Sequence, residues 1–385
     1  MFKNKFLVSI ILLICSIVLR YFSNFFLNDG SVFYIQIITI ALIIFFGIYI
    51  LRGTAKIIEE TTEVLSEQTG IAGGVLQSFG TAFPDMVLGI VAAILSLSLR
   101  NTDFLAAINY AIIAAATTFG SNIYNVGFSA WCVYRQNLAD TYDKNIPIFP
   151  FIKSNSAMPL RKHLKKPSHK EMDISISVLA ALSVLTSIVA ISMVVFGRVK
   201  NSPVGISGDL YQLIQPVGLL VFIIAVMMIF VFRKSEHRSE TDVDFKTSEH
   251  FFRTHPKMLI WLSLIFAGIA ILFSAESMIK AVSLFSILSH IPVVLTGTAT
   301  GIIGSLGEMF VVYNFTINPR GRIGDAIVGV AMDNIVTIIG ASIVAMIGGI
   351  FLGGNALILI FVIILCLDTI LIWQVSVLKD RVSHV

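Results

Sequence analysis

Residues 73–94, GGVLQSFGTAFPDMVLGIVAAI, combine a long apolar run with glycines, one proline and one aspartate. The run is long enough to cross a hydrocarbon layer of about 30 Å as a helix. A strand is excluded, because lipid offers no partners for its backbone groups. Asp85 would therefore lie inside the membrane, where ionisable side chains are costly and usually functional. Since Pro84 lacks a backbone N–H, we expect this helix to be broken beside Asp85.

A second stretch has the same plan. Residues 295–313, LTGTATGIIGSLGEMFVVY, place Glu308 after two helix-interrupting glycines. Each stretch is followed by a span with polar residues about one helical turn apart, FGSNIYNVG at 119–127 and GDAIVGVAMDNIVTIIG at 324–340. These features predict an internal repeat, with copies at residues 70–133 and 291–348.

The whole composition is that of a membrane protein. Hydrophobic residues make up 56% of the 385 and charged residues only 13%, whereas soluble domains carry about 25% charged residues. Three widely separated cysteines lack metal-ligand spacing and argue against a disulfide framework. The apolar runs predict about ten spans: 6–27, 32–52, 70–98, 105–133, 173–197, 210–232, 258–285, 291–315, 322–348 and 355–377.

Loop charges predict how the spans are oriented. The basic segments 134–171 and 233–257 fall on one side of the membrane, and the positive-inside rule makes that side cytoplasmic. Both termini are then cytoplasmic, and the expected location is the cell membrane. We interpret residues 6–27 as a retained span, because no small-residue cleavage site follows them. Residues 53–69, which are rich in glutamate, are predicted to be a cytoplasmic loop.

With this parity the 70–98 span runs outward and the 291–315 span inward, so the repeats are inverted. Inverted repeats with broken helices at the midplane are typical of secondary transporters. The predicted fold is an all-α integral membrane protein with two inverted-topology repeats. Its parts are an extra N-terminal helix (1–31), a first half (32–232), a cytoplasmic linker (233–257) and a second half (258–385).

Oxygen-bearing side chains on the repeat spans form the candidate ion site. Calcium takes six to eight oxygen ligands, and no nitrogen or sulphur cluster accompanies them to suggest zinc, copper or iron. A Gly-Ser-Thr-rich span is also common as a helix-packing face, but acids at matched places in both repeats favour a site. The candidate ligands are Thr81, Asp85, Ser121, Asn125, Ser305, Glu308, Asp333 and Asn334.

GTAFPD at 80–85 and GSNIYN at 120–125 resemble the calcium/cation antiporter superfamily, whose sodium/calcium exchangers carry Gly-Thr-Ser-x-Pro-Glu and Gly-Ser-Asn-Ile-x-Asn. GSLGE at 304–308 looks like the second copy in degraded form. The resemblance implies ion ligands at the candidate positions and an antiporter that exchanges calcium for sodium by alternating access. Aligning the last motif from Gly324 selects Asp333, which we prefer, and aligning it from Gly329 selects Asn334.

The chain departs from this family in two ways. Ala82 and Gly304 replace hydroxyl residues, which puts sodium coupling in doubt and keeps a proton-coupled divalent-cation exchanger as an alternative. A cation-binding membrane protein that does not transport is a further alternative. The family usually has five spans per half, whereas the second half here has four, so we expect residues 6–27 to take the place of the missing final helix.

An enzyme is not predicted, because the sequence shows no nucleophile–base pair and no phosphate loop. No cofactor is expected. The predicted partners are inorganic cations and the lipid bilayer, with no nucleic acid, and the sequence leaves the oligomeric state open.

Overall fold

The computed structural model describes residues 4–27, 33–69, 73–150, 157–158, 160, 169–199, 211–236, 251–317, 323–348, 350–353 and 355–383. Within these residues the chain is almost entirely helical. The helices are α1 (Lys5–Phe26), α2 (Phe33–Thr69), α3 (Gly73–Leu99), α4 (Phe104–Tyr142), α5 (His169–Phe196), α6 (Gln215–Glu236), α7 (Lys257–Ser289), α8 (Val293–Ile317), α9 (Ile323–Gly348) and α10 (Asn355–Ser383). They correspond one to one to the predicted spans.

Short strands join the helices at two places. Strand β1 (Ile146–Pro147) pairs antiparallel with β2 (Ala157–Met158), and β3 (Tyr211–Leu213) pairs antiparallel with β4 (Ile350–Gly353). Strand β3 precedes α6, and β4 connects α9 to α10. Their pairing requires these two connections to lie at the same end of the bundle, as the predicted parity of the spans demands.

Nine helices in the described part of the chain are long and apolar enough to cross a membrane. The tenth, α8, contributes a shorter apolar segment, Val293–Leu306. The prediction of an integral membrane protein with about ten transmembrane helices is confirmed.

The helix contacts follow the inverted repeat. Under the repeat, α2, α3, α4 and α5 correspond to α7, α8, α9 and α10. Helix α4 packs along α8, and α3 packs along α9, so each repeat copy packs against the other through both of its helices. Corresponding helices also pair directly, α2 with α7 and α5 with α10. The middle of the molecule is therefore built from α3, α4, α8 and α9.

The expected breaks in the helices at Pro84 and Gly304 are absent, because both helices are continuous at these residues. Helix α3 continues through Pro84, and α8 continues through Gly304. Since proline cannot donate, the carbonyl oxygen of Gly80, one turn earlier, still lacks its helical N–H partner. Pro84 therefore removes one backbone hydrogen bond of α3 beside Asp85 without ending the helix.

Residues 53–69 are helical, so the loop predicted there is wrong, while their cytoplasmic side stays a prediction. They extend α2 to Thr69. Ile57, Ile58 and Val64 keep a buried apolar face on this extension, and the Thr61 hydroxyl donates to the Ile57 carbonyl one turn back. The glutamate-rich segment is therefore the amphipathic C-terminal end of α2.

Helix α1 does not take the place of a missing final helix. It packs against α7 and α2 and forms no substantial contact with α10 in the described residues, which contradicts the prediction for residues 6–27. Arg20 lies 2.8 Å from the Glu276 carboxylate of α7 and over the Phe273 ring. Lys5 pairs with Glu60 of α2. Ion pairs at both ends therefore fix α1 beside the α2–α7 pair.

Candidate ion site where the two repeats cross

Small residues bring α4 and α8 into backbone contact. A Cβ atom added at Gly301 of α8 would lie 2.7 Å from the backbone nitrogen of Ser121, and one added at Gly120 of α4 would lie 2.8 Å from the Thr298 Cα. No side chain fits in either gap. This approach is how small residues let membrane helices pack, and it places Ser121 directly against the second repeat.

Asp85 projects from α3 into the same crossing. Its side chain is 1% exposed and lies against Gly304 of α8, where an added Cβ would overlap the Asp85 carboxylate. Ser121 of α4 lies in the same crossing, since its backbone is next to Gly301 of α8, one turn before Gly304. Gly304 is one helical turn before Glu308, which is also 1% exposed. The two carboxylates predicted from the matched motifs are thus buried about one turn apart.

Asn125 of α4 and Asn334 of α9 meet in the interior. Both are buried, and the Asn125 amide nitrogen donates to the Asn334 side-chain oxygen at 3.3 Å. Each asparagine lies five residues after a glycine, Gly120 or Gly329. Equivalent residues of a two-fold repeat can touch only close to the axis that relates the copies. The pair therefore marks that axis and supports the alignment from Gly329.

This contact is made by Asn334, the alternative to the preferred Asp333; which of the two is an ion ligand stays a prediction. Neighbouring side chains on a helix point about 100° apart. Because Asn334 points at Asn125, Asp333 points in a different direction. Asp333 is nevertheless buried. The described residues contain no group of three or more acidic, histidine or cysteine side chains placed to hold one metal ion. A ligand set here would combine carboxylates with amide, hydroxyl and carbonyl oxygens.

The predicted hydroxyl ligands bond within their own helices. Ser121 donates to the Thr118 carbonyl at 2.8 Å, and Ser305 donates to the Ile302 carbonyl at 3.1 Å. A hydroxyl that donates this way keeps its lone pairs for a cation. Thr81 belongs to α3, but its side chain lies outside the described residues.

Several buried polar atoms at the crossing have no hydrogen-bond partner among the described residues. They include one Asp85 carboxylate oxygen and the Asn125 side-chain oxygen. Nearly all buried polar groups in proteins are hydrogen-bonded, and the exceptions require an explanation. Buried oxygen atoms that accept no hydrogen bond are the kind of ligand that hard cations prefer.

Asn122 was missed by the sequence reasoning. It lies in the quoted GSNIYN motif next to Ser121 and is 0% exposed. Neither of its amide atoms is hydrogen-bonded to another described residue. One turn earlier, Thr118 contacts Gly89 of α3, so Asn122 lies on the α3-facing side of α4. Attention to the four-residue spacing of Ser121 and Asn125 hid it, although the Thr118–Asn122 spacing is the same.

Comparison with solved structures identifies the fold. The structure of an H+/Ca2+ exchanger, CAX, superimposes with a TM-score of 0.55 at 11% sequence identity, covering 98% of this chain and 96% of that one. A sodium-calcium exchanger, NCX_Mj, gives a TM-score of 0.43 at 13% identity, over 97% of this chain and 96% of the other. No protein-family model and no curated protein sequence matches the chain. The chain therefore has the fold of a solved H+/Ca2+ exchanger, as its resemblance to the calcium/cation antiporter superfamily predicts.

Proposed function

We propose that this protein is a secondary active antiporter that exchanges calcium for sodium across a membrane by alternating access. The observation that carries the proposal is the pair of buried carboxylates, Asp85 and Glu308, contributed by corresponding helices of two inverted halves. Acidic side chains in this position are expensive to bury, and a bound cation would compensate their charge.

The neighbouring residues complete a site of oxygen ligands. Ser121 and Asn125 come from α4, and Ser305 and Asn334 come from the second repeat. Together with the carbonyl freed by Pro84, they supply neutral oxygens around two charged ones. Calcium prefers such a set. Sodium uses the same oxygens, so one site can hold either one calcium ion or sodium ions, and competition for it couples the two fluxes.

Alternating access requires two halves that can change their relative position. The resemblance implies that α2 and α7 slide past a ligand core. In this chain the two helices touch at Gly47, where an added Cβ would lie 2.5 Å from the Met278 sulphur. A glycine against a flexible methionine is a contact that can slide, because methionine adapts its shape readily.

Proton coupling is the second candidate, and one observation favours it. Ala82 and Gly304 leave the site poorer in hydroxyls than the sodium/calcium exchanger motif, whereas its carboxylates remain and can carry protons. The CAX protein that shares the fold is an H+/Ca2+ exchanger.

The test uses purified protein in sodium-loaded vesicles that are diluted into sodium-free buffer with radioactive calcium. We expect uptake that depends on the sodium gradient and is lost in Asp85→Asn and Glu308→Gln. Asp103→Asn is the matched control, because Asp103 is exposed and caps the start of α4, a role that asparagine also fills.

Each other outcome selects a different function. Calcium uptake driven only by an outward proton gradient would show that the coupling ion is the proton and not sodium. Calcium that raises the unfolding temperature without any uptake would indicate a binding protein that does not transport. Full exchange in both carboxylate variants would refute the site.

A further inference from the structure

A second buried carboxylate lies outside the candidate ion site. Asp368 of α10 is 0% exposed, and one of its oxygens, Oδ2, shares a hydrogen bond with the Ser183 hydroxyl of α5 at 3.1 Å. Its other oxygen, Oδ1, has no hydrogen-bond partner in the part of the chain that the structure describes. The acid is therefore enclosed between two helices with one neutral hydrogen-bond partner.

The position of Asp368 is fixed by a regular helix pair. Lys379 of α10 pairs with Asp173 of α5 at the end of the bundle, and Asp368 meets Ser183 ten residues further along α5. Both contacts follow one antiparallel register. Ten residues of helix correspond to about 15 Å, so Asp368 lies well inside the span.

No described residue supplies a compensating positive charge. All ionisable residues of α5 lie within residues 169–173. On α10 the nearest titratable side chain is that of Cys366, and the charged residues Lys379, Asp380 and Arg381 lie eleven or more residues away, with Lys379 engaged by Asp173. Strand β4 has no ionisable residue. On α4, Gly127 faces the neighbouring Leu367, and the closest titratable side chains along that helix are the neutral Tyr124 and Cys132.

The donor set is too small for a metal ion. Asp368 and Ser183 provide one carboxylate and one hydroxyl. Thr186, one turn along α5, adds a buried hydroxyl without a partner. Calcium needs at least six oxygens. A proton needs only one, and it removes the charge that makes the buried acid costly.

We propose that Asp368, with Ser183, forms a proton-binding site in the membrane interior, separate from the cation site. One proton binds at Oδ2 and is donated to the Ser183 oxygen, whose own hydroxyl hydrogen is donated to the Leu179 carbonyl at 3.0 Å. The side chain is then a neutral carboxylic acid. Gly127, which faces Leu367, is two residues from Asn125, so the proton is held at nearly the depth of the cation site but on the opposite side of α4.

Infrared difference spectroscopy of the protein in lipid nanodiscs tests this proposal. A protonated carboxyl group has a C=O band distinct from that of a carboxylate, and the band shifts in heavy water. Near neutral pH, wild type minus Asp368→Asn should show the protonated band. The matched control, Asp173→Asn on α5, should remove only carboxylate absorption, because Asp173 is exposed and ion-paired.

Two further measurements keep the outcome decisive. Ser183→Ala should shift the protonated band without removing it, and this variant carries the test if Asp368→Asn does not fold. Calcium should leave the band in place, since the site is separate from Asp85 and Glu308. Loss of carboxylate absorption in Asp368→Asn, or disappearance of the band on calcium addition, would overturn the proposal.

Discussion

Gly304→Ala is the sharpest test of how the two repeats meet. The new Cβ would overlap the Asp85 carboxylate and lie 3.2 Å from the Asp85 Cα. Ordinary carbon–carbon contacts are about 3.5–4.0 Å, so α3 and α8 must separate by about 0.5 Å. The carboxylate must also rotate away from its present position.

The cost to ion binding follows from the loss of one charged ligand. An interaction with a charged group contributes about 1.5–3 kcal/mol, and each 1.4 kcal/mol changes an equilibrium constant tenfold. Calcium affinity should therefore fall about 10- to 150-fold. Overpacking costs about 1–3 kcal/mol of stability, partly offset by about 1 kcal/mol from the higher helix propensity of alanine, so the variant should still fold.

Calcium titration followed by the unfolding temperature measures both quantities. Gly127→Ala and Gly268→Ala are the controls. A Cβ at Gly127 would meet Leu367 at an ordinary 3.5 Å, and one at Gly268 would meet no described atom within 4 Å. Both controls should bind calcium as the wild type does. Unchanged calcium affinity in Gly304→Ala would refute the placement of Asp85 against α8.

Three further variants test single contacts. Asn122→Ala should raise the unfolding temperature without calcium, because it removes unpaired buried groups that cost about 1–3 kcal/mol, and should weaken stabilisation by calcium; lower stability with unchanged calcium response would make Asn122 purely structural. Arg20→Ala should lower the free energy of unfolding by about 1 kcal/mol, since a partly exposed ion pair to Glu276 and a cation–π contact are each modest, and Arg20→Lys should restore part of it. Trp131→Phe removes the 3.1 Å indole hydrogen bond to the Ile148 carbonyl and should cost about 1 kcal/mol; no change in chemical denaturation would contradict that contact.

The sequence predicted the membrane fold because each span had a strong apolar pattern and because loop charges fixed its parity. Asp85 and Glu308 could be singled out for the same reason: a single acid in a long apolar run is conspicuous. Their placement at one crossing follows from the inverted repeat, which aligns corresponding helices. The helical conformation of residues 53–69 was missed because the spans were taken from apolar runs, which these charged residues interrupt, although their apolar residues keep helical spacing.

Features that depend on packing between distant helices were not predictable. The choice between Asp333 and Asn334 depends on the rotation of α9 by about 100°, which no local pattern determines. The position of α1 depends on Arg20 and Lys5 reaching acids far along the chain. Asp368 had no recognisable partner in the sequence, because a serine on a neighbouring helix leaves no distinctive motif.

The contact between Asn125 and Asn334 has a built-in direction. Two identical amides at a symmetry axis joined by one hydrogen bond cannot both play the same role, so one donates while the other accepts. Here Asn125 donates, which leaves its own oxygen and the Asn334 nitrogen unused. An exchange of the two roles would require both amide groups to turn over, so the polarity of this one bond distinguishes the two halves of the protein.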